Sequence, residues 1–372
     1  MVTFLSELHL NLPMQFVHEG SAKIMVQKVP VVSKSMGVFY NPVMQLNRDI
    51  TVALLEAIPK THLTLADPLA GTGIRAIRLL KELPKNKIKS IAINDYGQKA
   101  VRAIRKNFAL NKISIGKKAG ISCLDANIFL LSSFGFDYID IDPFGTPNPY
   151  LDAAIKRLSR DGILAVTATD TAALAGTFPE ACLRKYWAMP QRGSVQHEIG
   201  LRILIRKIQL IGAQYEKALI PIFSYSKEHY LRAFLQCTKG KKFVDGILRN
   251  HGMFGDAGPL WLGNLWDISS VKKMGSFPQK NFSKEFRPFI ETIGKEASIP
   301  SVGFFDVHKV CEKFRLSAVP RTESILEAIR NKGHAAARTH FNDDGIRTTM
   351  ALENFEKVIK SLANVRENEV TL

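Results

Sequence analysis

Three acids close apolar runs in the first third of the chain. Asp67 ends LTLAD and opens the loop Asp67-Pro-Leu-Ala-Gly71-Thr-Gly73-Ile-Arg75-Ala76. Asp95 ends SIAIND, 22 residues after Gly73, and Asp125 ends GISCLD. Two glycines let a backbone turn tightly and approach a ligand with no Cβ in the way. A carboxylate at Asp95 can accept from both hydroxyls of a ribose. Taken alone, the loop also fits the dinucleotide fingerprint G-x-G-x-x-A. Asp67 separates the two readings. An acid at the mouth of the loop repels a pyrophosphate, but it suits the ammonium and sulfonium charges of S-adenosylmethionine, which carries no phosphate. Asp125 is then placed to meet an adenine amino group. Any one of these acids reads equally well as a solvated strand end or a helix cap; their order along successive strand ends is what points to a nucleoside site.

A fourth acid sits in a different setting. The run FDYIDID ends in Asp142-Pro143-Phe144-Gly145. An exocyclic amino group on a base is a poor nucleophile, because its lone pair is delocalised into the ring. Methylating it calls for acceptors that take its N–H bonds and aim the nitrogen at the methyl. The Asp142 carboxylate and the Pro143 carbonyl are such acceptors. The Phe144 ring offers a face for a base, worth about 1–3 kcal/mol. Positioning and charge stabilisation then supply most of the rate. A carboxylate matches the adjacent N1–H and N2 donors of guanine as it matches a guanidinium fork. Adenine, with a donor beside an acceptor, suits an amide better, yet either side chain can bind either base. By itself Asp-Pro-Phe-Gly is also an ordinary turn. Its place on the next strand end gives it weight.

These residues need a frame that gathers strand ends. Apolar runs at 63–67, 90–95, 120–125, 136–142 and 162–170 alternate with helical spacing at 47–58, 74–83, 98–110, 148–158 and 198–215. Residues 218–226 and 230–238 read as a closing pair of strands, and 23–32 as a hairpin or edge strand. The alternation predicts an α/β fold with a doubly wound sheet, whose ligands lie at the carboxyl ends of the strands. After Thr238 the texture changes. Helical segments at 284–296, 306–314, 322–331 and 352–362 predict a smaller α/β module of winged-helix type.

The chain has 372 residues, enough for two domains or one large one. Its net charge of +17 is spread over both parts, which fits a polyanionic partner. Cys123, Cys182, Cys237 and Cys311 form no C-x-x-C pair, so neither a disulfide framework nor a zinc ribbon is supported. All four read as small buried apolar residues. No run of about 18 apolar residues could span a membrane, and the N-terminus lacks a signal-peptide pattern. A cytoplasmic location is expected.

Together the motifs resemble the tRNA guanine-26 N2-dimethyltransferase family, archaeal type. The likeness rests on Phe39-Tyr40-Asn41-Pro42 with Asn47-Arg48-Asp49, on Ala70-Gly71-Thr72-Gly73-Ile74-Arg75, and on Asn94-Asp95. It continues through Asp125-Ala126-Asn127, Asp142-Pro143-Phe144-Gly145 and Thr167-Ala168-Thr169-Asp170. Ala181-Cys182-Leu183-Arg184-Lys185-Tyr186, Gly258-Pro259-Leu260-Trp261-Leu262-Gly263 and Arg338-Thr339-His340-Phe341 extend it over nearly the whole chain. The resemblance implies a Rossmann-like class I methyltransferase domain over residues 1–245 and a winged-helix-like domain over 246–372 that binds tRNA or is structural. It implies successive methyl transfers from S-adenosylmethionine to N2 of guanine 26 in tRNA, with no obligate protein partner. Arg48, Arg75, Asp95, Asp125 and Ala126 would contact the donor beside Asp67, Gly71 and Gly73. The two arginines would face its carboxylate.

The resemblance further makes Asp142 the catalytic acceptor, flanked by Pro143 and Phe144, with the guanine sandwiched between Phe39 and Phe144. Thr169-Asp170 lines the same pocket or caps a strand end. Some family members carry paired cysteines for zinc between the domains. Residues 238–258 hold none, so no metal is expected, and His334 and His340 read as structural or RNA-facing. Other readings stay open. They are a methyltransferase of another base amino group, an NAD-dependent oxidoreductase with no evident hydride-handling residues, and a non-catalytic RNA-binding protein.

Overall fold

The computed structural model describes residues 13–28, 38, 40–277 and 281–370, with side chains through residue 363. A hairpin of β1 (Met14–Glu19) and β2 (Ala22–Gln27) precedes α1 (Gln45–Ala57). Strands and helices then alternate through β3 (Leu63–Asp67), α2 (Ile74–Glu82), β4 (Ile88–Asn94), α3 (Gln98–Leu110) and β5 (Ala119–Ser122). The alternation continues with α4 (Ala126–Leu131), β6 (Phe136–Ile141), α5 (Asn148–Arg157) and β7 (Leu158–Ala168). Two short helices, α6 (Thr171–Leu174) and α7 (Pro179–Tyr186), lead to the long α8 (Gln196–Ala213) and the hairpin β8 (Lys217–Lys227) and β9 (Tyr230–Lys239).

The seven strands form one sheet in the order β5-β4-β3-β6-β7-β9-β8. Neighbours from β5 to β7 are parallel, and β9 runs antiparallel to both β7 and β8. The chain starts mid-sheet at β3, moves outward to β5, then returns to β6 on the other side of β3. That reversal opens a crevice beyond the carboxyl ends of β3 and β6, where open α/β sheets bind ligands. Residues 138–141 and 162–168 are buried without alternation, since helices cover both faces of a parallel sheet. The expected doubly wound α/β architecture is what the chain adopts.

One strand is shorter than expected. β5 stops at Ser122. Asp125 instead caps α4, its Oδ1 accepting from the Asn127 and Ile128 backbone N–H at 2.8 and 3.2 Å. A short acid that satisfies the first N–H groups of a helix favours helix entry over strand continuation. Cys123, next to that junction, is exposed, unlike Cys182, Cys237 and Cys311. The helices α4 and α7 are not among the elements read from the sequence.

Beyond β9, the helix α9 (Lys241–Leu248), the hairpin β10 (His251–Phe254) and β11 (Ala257–Trp261), and helices α10 (Ile268–Ser276) and α11 (Phe286–Glu296) share the main hydrophobic core. A second core gathers Val307, Cys311, Ile325, Ile329, Ile346 and Phe355. It belongs to β12 (Phe305–Asp306), α12 (Val307–Lys313), α13 (Thr322–Asn331), β13 (Ala336–Arg338), β14 (Gly345–Thr348) and α14 (Leu352–Val370). Its small antiparallel sheet has the order β12-β14-β13. Strand, two helices and hairpin follow each other in this unit, whereas α11, which the sequence pattern groups with it, packs in the main core. No described helix is long and apolar enough to cross a membrane.

Buried charges join the two cores. Arg347 on β14 donates Nη2 to Glu198 Oε2 on α8 at 2.6 Å and Nε to Glu296 Oε1 on α11 at 2.9 Å. Glu198 also accepts from Arg202 Nε at 2.9 Å and from the Gly303 backbone N–H at 3.0 Å. Burial opposes its ionisation, yet Arg347 and Arg202 hold its pKa down to about 2. Glu296 takes further bonds from Thr339 Oγ1 at 2.5 Å and from His340, whose Nδ1 lies 2.6 Å away. His340 is thus a buried structural group. Losing one partner from such a network strands a charge and costs about 3–5 kcal/mol.

Candidate active site

The crevice holds a cavity of about 680 Å³, within the range of small-molecule sites. Arg48, Asp67, Gly71, Arg75, Asp95, Asp142, Pro143, Phe144 and Thr169 all line it. The glycine loop forms one wall. Gly71 and Gly73 have φ of 55° and 75°, a left-handed backbone that favours glycine. A Cβ on Gly73 would come within 3.0 Å of Ile104 on α3, so α2 and α3 pack tightly beneath the loop. Asn107 Nδ2 donates to the Thr72 carbonyl at 3.0 Å, and Asp95 Oδ2 accepts from the Gly71 N–H at 2.9 Å. Asp95 Oδ1 accepts from the Gly97 N–H at 2.8 Å. A carboxylate has about four acceptor sites, so Asp95 can brace the loop and still receive a ribose.

Asp67 is an uncompleted carboxylate of the site. Its Oδ2 is buried and has no hydrogen-bond partner among the described residues. Burial is the main reason its pKa rises to about 7. Arg75 opposes that rise, and Asp140, Asp142 and Asp95 add to it. A cation arriving beside Asp67 would supply the missing partner. A pyrophosphate would face Asp67 and Asp95 together, so the donor set fits S-adenosylmethionine rather than a dinucleotide.

Arg75 links this wall to the acceptor side. It enters from α2, donates Nη1 to Asn47 Oδ1 and Thr51 Oγ1 at 2.9 and 3.0 Å, and pairs through Nη2 with Asp142. Its Nε lies 3.3 Å from Asp140 Oδ2. Asp140 in turn holds Arg232 of β9 in a fork of 2.9 and 2.7 Å. The acceptor loop is clamped as well. The Gly145 N–H donates to Thr169 Oγ1 at 2.6 Å, and the Thr169 N–H returns a bond to the Gly145 carbonyl at 2.9 Å. Phe144, 43% exposed, presents its ring at the cavity mouth.

Not every expected residue reaches the cavity. Gly73 lies under the loop, and Asp125 and Ala126 lie beside it at the start of α4, outside the lining. Asn94 ties the two places together, donating to the Pro68 and Leu124 carbonyls at 3.1 and 2.9 Å. Arg48 lines the cavity, but its Nε and Nη2 are held at 2.6 Å by the two oxygens of Glu19 on β1. Phe39, the other expected stacking ring, is outside the described residues. Asp170 accepts from the Tyr186 hydroxyl at 2.6 Å, next to the pocket.

Sequence reasoning missed several lining groups. Tyr40 and Asn41 form the wall ahead of α1, and Glu228, His229 and Tyr230 come from the β8–β9 turn. Tyr230 is buried, its ring edge-on to Tyr225 at 5.8 Å between centroids. The strand pair itself was legible, but nothing local says that its turn overhangs Asp142. Among the described residues, no group of three or more His, Cys, Asp or Glu is placed to hold a metal.

The sheet order, with its antiparallel β9 inserted next to the edge, and the acid-flanked glycine loop define a class I methyltransferase of Rossmann-like fold. The sequence pattern of "N2,N2-dimethylguanosine tRNA methyltransferase" matches residues 20–256 and 250–360. A tRNA (guanine(26)-N(2)/guanine(27)-N(2))-dimethyltransferase of Aquifex aeolicus is 38% identical, across 94% of this chain and 96% of that protein. A tRNA (guanine(26)-N(2))-dimethyltransferase of Methanocaldococcus jannaschii is 35% identical, across 94% and 99%. The structure of Trm1 from Pyrococcus horikoshii with S-adenosyl-L-methionine superposes with a TM-score of 0.83 at 33% identity, covering 93% of this chain and 99% of that one. The chain belongs to the N2,N2-dimethylguanosine tRNA methyltransferase family.

Proposed function

We propose that this protein transfers methyl groups from S-adenosylmethionine to N2 of guanine 26 in tRNA. The observation that carries the reading is one cavity with two chemically different walls. On one side Asp67 and Asp95 suit a cationic nucleoside; on the other Asp142, Pro143 and Phe144 suit a base amino group. Family membership and the net charge of +17 support a tRNA partner.

When bound, S-adenosylmethionine supplies an electrophilic methyl on sulfur. The protein does the rest by holding groups still. Asp67 would face the donor's ammonium, which favours its ionised form. Asp95 would take the ribose, and Asp125 and Ala126, beside Asn94, would serve the adenine end. Arg75 fixes the Asp142 carboxylate, which accepts the guanine N1–H and one N2–H. The Pro143 carbonyl accepts the other N2–H. Phe144 would stack on the ring. Held in this way, the N2 nitrogen would be presented to the donor's methyl, and Asp142 would be placed to take the proton released on transfer. Such alignment is the main source of rate where no strong nucleophile is available. The part beyond residue 245 is proposed to grip tRNA or to brace the site.

The test is radiolabelled methyl transfer to an unmodified tRNA transcript, followed by nucleoside analysis. Dimethylguanosine that disappears when guanine 26 is replaced is the expected result. Transfer that survives the replacement overturns the position, and label on adenine overturns the base.

A further inference from the structure

The motif Ala181-Cys182-Leu183-Arg184-Lys185-Tyr186 takes no part in the cavity, yet it is locked to the acceptor loop. Cys182 and Tyr186 of α7 are buried. The Tyr186 hydroxyl lies 2.6 Å from Asp170 Oδ1 and 3.0 Å from Thr146 Oγ1. Asn148 Nδ2 donates to the Lys185 carbonyl at 2.8 Å. Thr146 and Asn148 directly follow Asp142-Pro143-Phe144-Gly145. From behind, Arg206 Nη1 donates to the Trp187 carbonyl at 3.1 Å, and Met189 exchanges two backbone bonds of 2.8 Å with Gly258. The outward residues of this ridge therefore stand at a set distance from the acceptor.

What faces outward is unusual for an idle surface. Phe178, Leu183 and Trp187 are 59%, 49% and 47% exposed. Arg184 and Lys185 on the same helix, and Arg192 after it, are all exposed. Lys185 reaches Asp170 at 3.4 Å, whereas Arg184 and Arg192 have no ion-pair partner among the described residues. The Lys207 ammonium lies 2.8 Å from the centre of the Trp187 ring, covering one face and leaving the ring half-exposed. Trp187 itself ends α7 with φ of 58°. This is a left-handed helix terminus, where glycine carries no steric penalty. Large rings held out of the core among unpaired cations suit a partner with both π faces and negative charge, which is unstacked nucleic acid.

The amino group of a stacked base is presented to an active site when its nucleotide leaves the stack, and that exposes the faces of its neighbours. We propose that the ridge binds tRNA beside the target guanine, with Trp187 stacking on a base that flanks the extruded nucleotide and Arg184 and Arg192 bonding nearby phosphates. The assignment rests on the tRNA-methylating function proposed above.

Two variants of the full chain test it, with unmodified tRNA transcript as the probe. Trp187→Gly removes the ring at a backbone position that glycine favours. It should raise KM for tRNA about ten-fold or more while the melting temperature and S-adenosylmethionine affinity hold. Arg184→Ala should weaken tRNA binding and reduce the slope of its logarithmic salt dependence by about one. Both variants binding tRNA as the parent does would overturn the ridge and leave the function standing. An equal loss of S-adenosylmethionine affinity in Trp187→Gly would assign the ridge a structural role and overturn it too. A parent protein that binds S-adenosylmethionine and methylates no tRNA overturns the function, and the ridge with it.

Discussion

Two sets of buried carboxylates divide this molecule into scaffold and site. Glu198, where α8 meets the C-terminal module, accepts from Arg202, Arg347 and the Gly303 backbone. Asp67, at the mouth of the glycine loop, has an oxygen buried with no hydrogen-bond partner among the described residues. Both are nearly inaccessible to solvent, yet their acidities move in opposite directions, Glu198 to about 2 and Asp67 to about 7. Burial raises both, and only Glu198 has enough cations against it to reverse the effect. A buried charge that the fold has already completed holds elements together. Asp67, which the fold leaves incomplete at the cavity wall, is the one proposed above to be completed by the donor's ammonium.

The sharpest break of that contrast lies on the acceptor wall. Asp142→Ala should lower methyl transfer by about a thousand-fold or more, since it removes the group proposed to align the nitrogen and take its proton. Affinity for S-adenosylmethionine and tRNA, read by calorimetry and filter binding, should stay within a few-fold. Turnover near the parent rate would remove Asp142 from the proposed mechanism.

On the scaffold side, Arg347→Ala leaves Glu198 and Glu296 buried with less counter-charge and should cost about 3–5 kcal/mol of stability, read from urea unfolding. Glu198 also sets the acid limit. Its folded pKa lies below its ordinary value of 4.5, so its contribution is complete above that value and is lost as pH falls toward about 2. An Arg347→Ala protein as stable as its parent would mean that the network does not hold the two cores together.

Asp67 should behave in the opposite sense. Its folded pKa lies above its ordinary value, so the ligand-free protein gains stability as pH falls from about 7 toward 4. S-adenosylmethionine carries an ammonium and prefers the ionised carboxylate. Its affinity should therefore fall about ten-fold between pH 8 and pH 6, with a proton released on binding at low pH. Asp67→Asn should bind weakly at both values and lose most of that pH dependence. A parent protein whose affinity is flat across this range would detach Asp67 from the ammonium.

Much of the frame was legible in the residues. LTLAD at 63–67, the helix at 98–110 and the closing strands after residue 216 fall where hydrophobic period and breakers put them. The glycine loop announced its own turn, since the left-handed positions it needs fall on Gly71 and Gly73. Asp125 marks where local reading ran out. A strand-end acid and a helix-capping acid have the same neighbours in sequence, and only the competition for the Asn127 and Ile128 N–H groups decides between them.

By itself the sequence determined the periodic elements, the glycine loop and the acids that close β3, β4 and β6, because each depends on residues within a few positions of one another. Tertiary structure alone decided the partners. Arg75 meets Asp142 across 67 positions and Arg347 meets Glu198 across 149. It also decided that Tyr230 overhangs the acceptor and that Trp187 stands outside the core. Such pairings follow from how the sheet twists and which helix faces pack, and the energies of burial and charge that select them exist only once the chain has closed on itself.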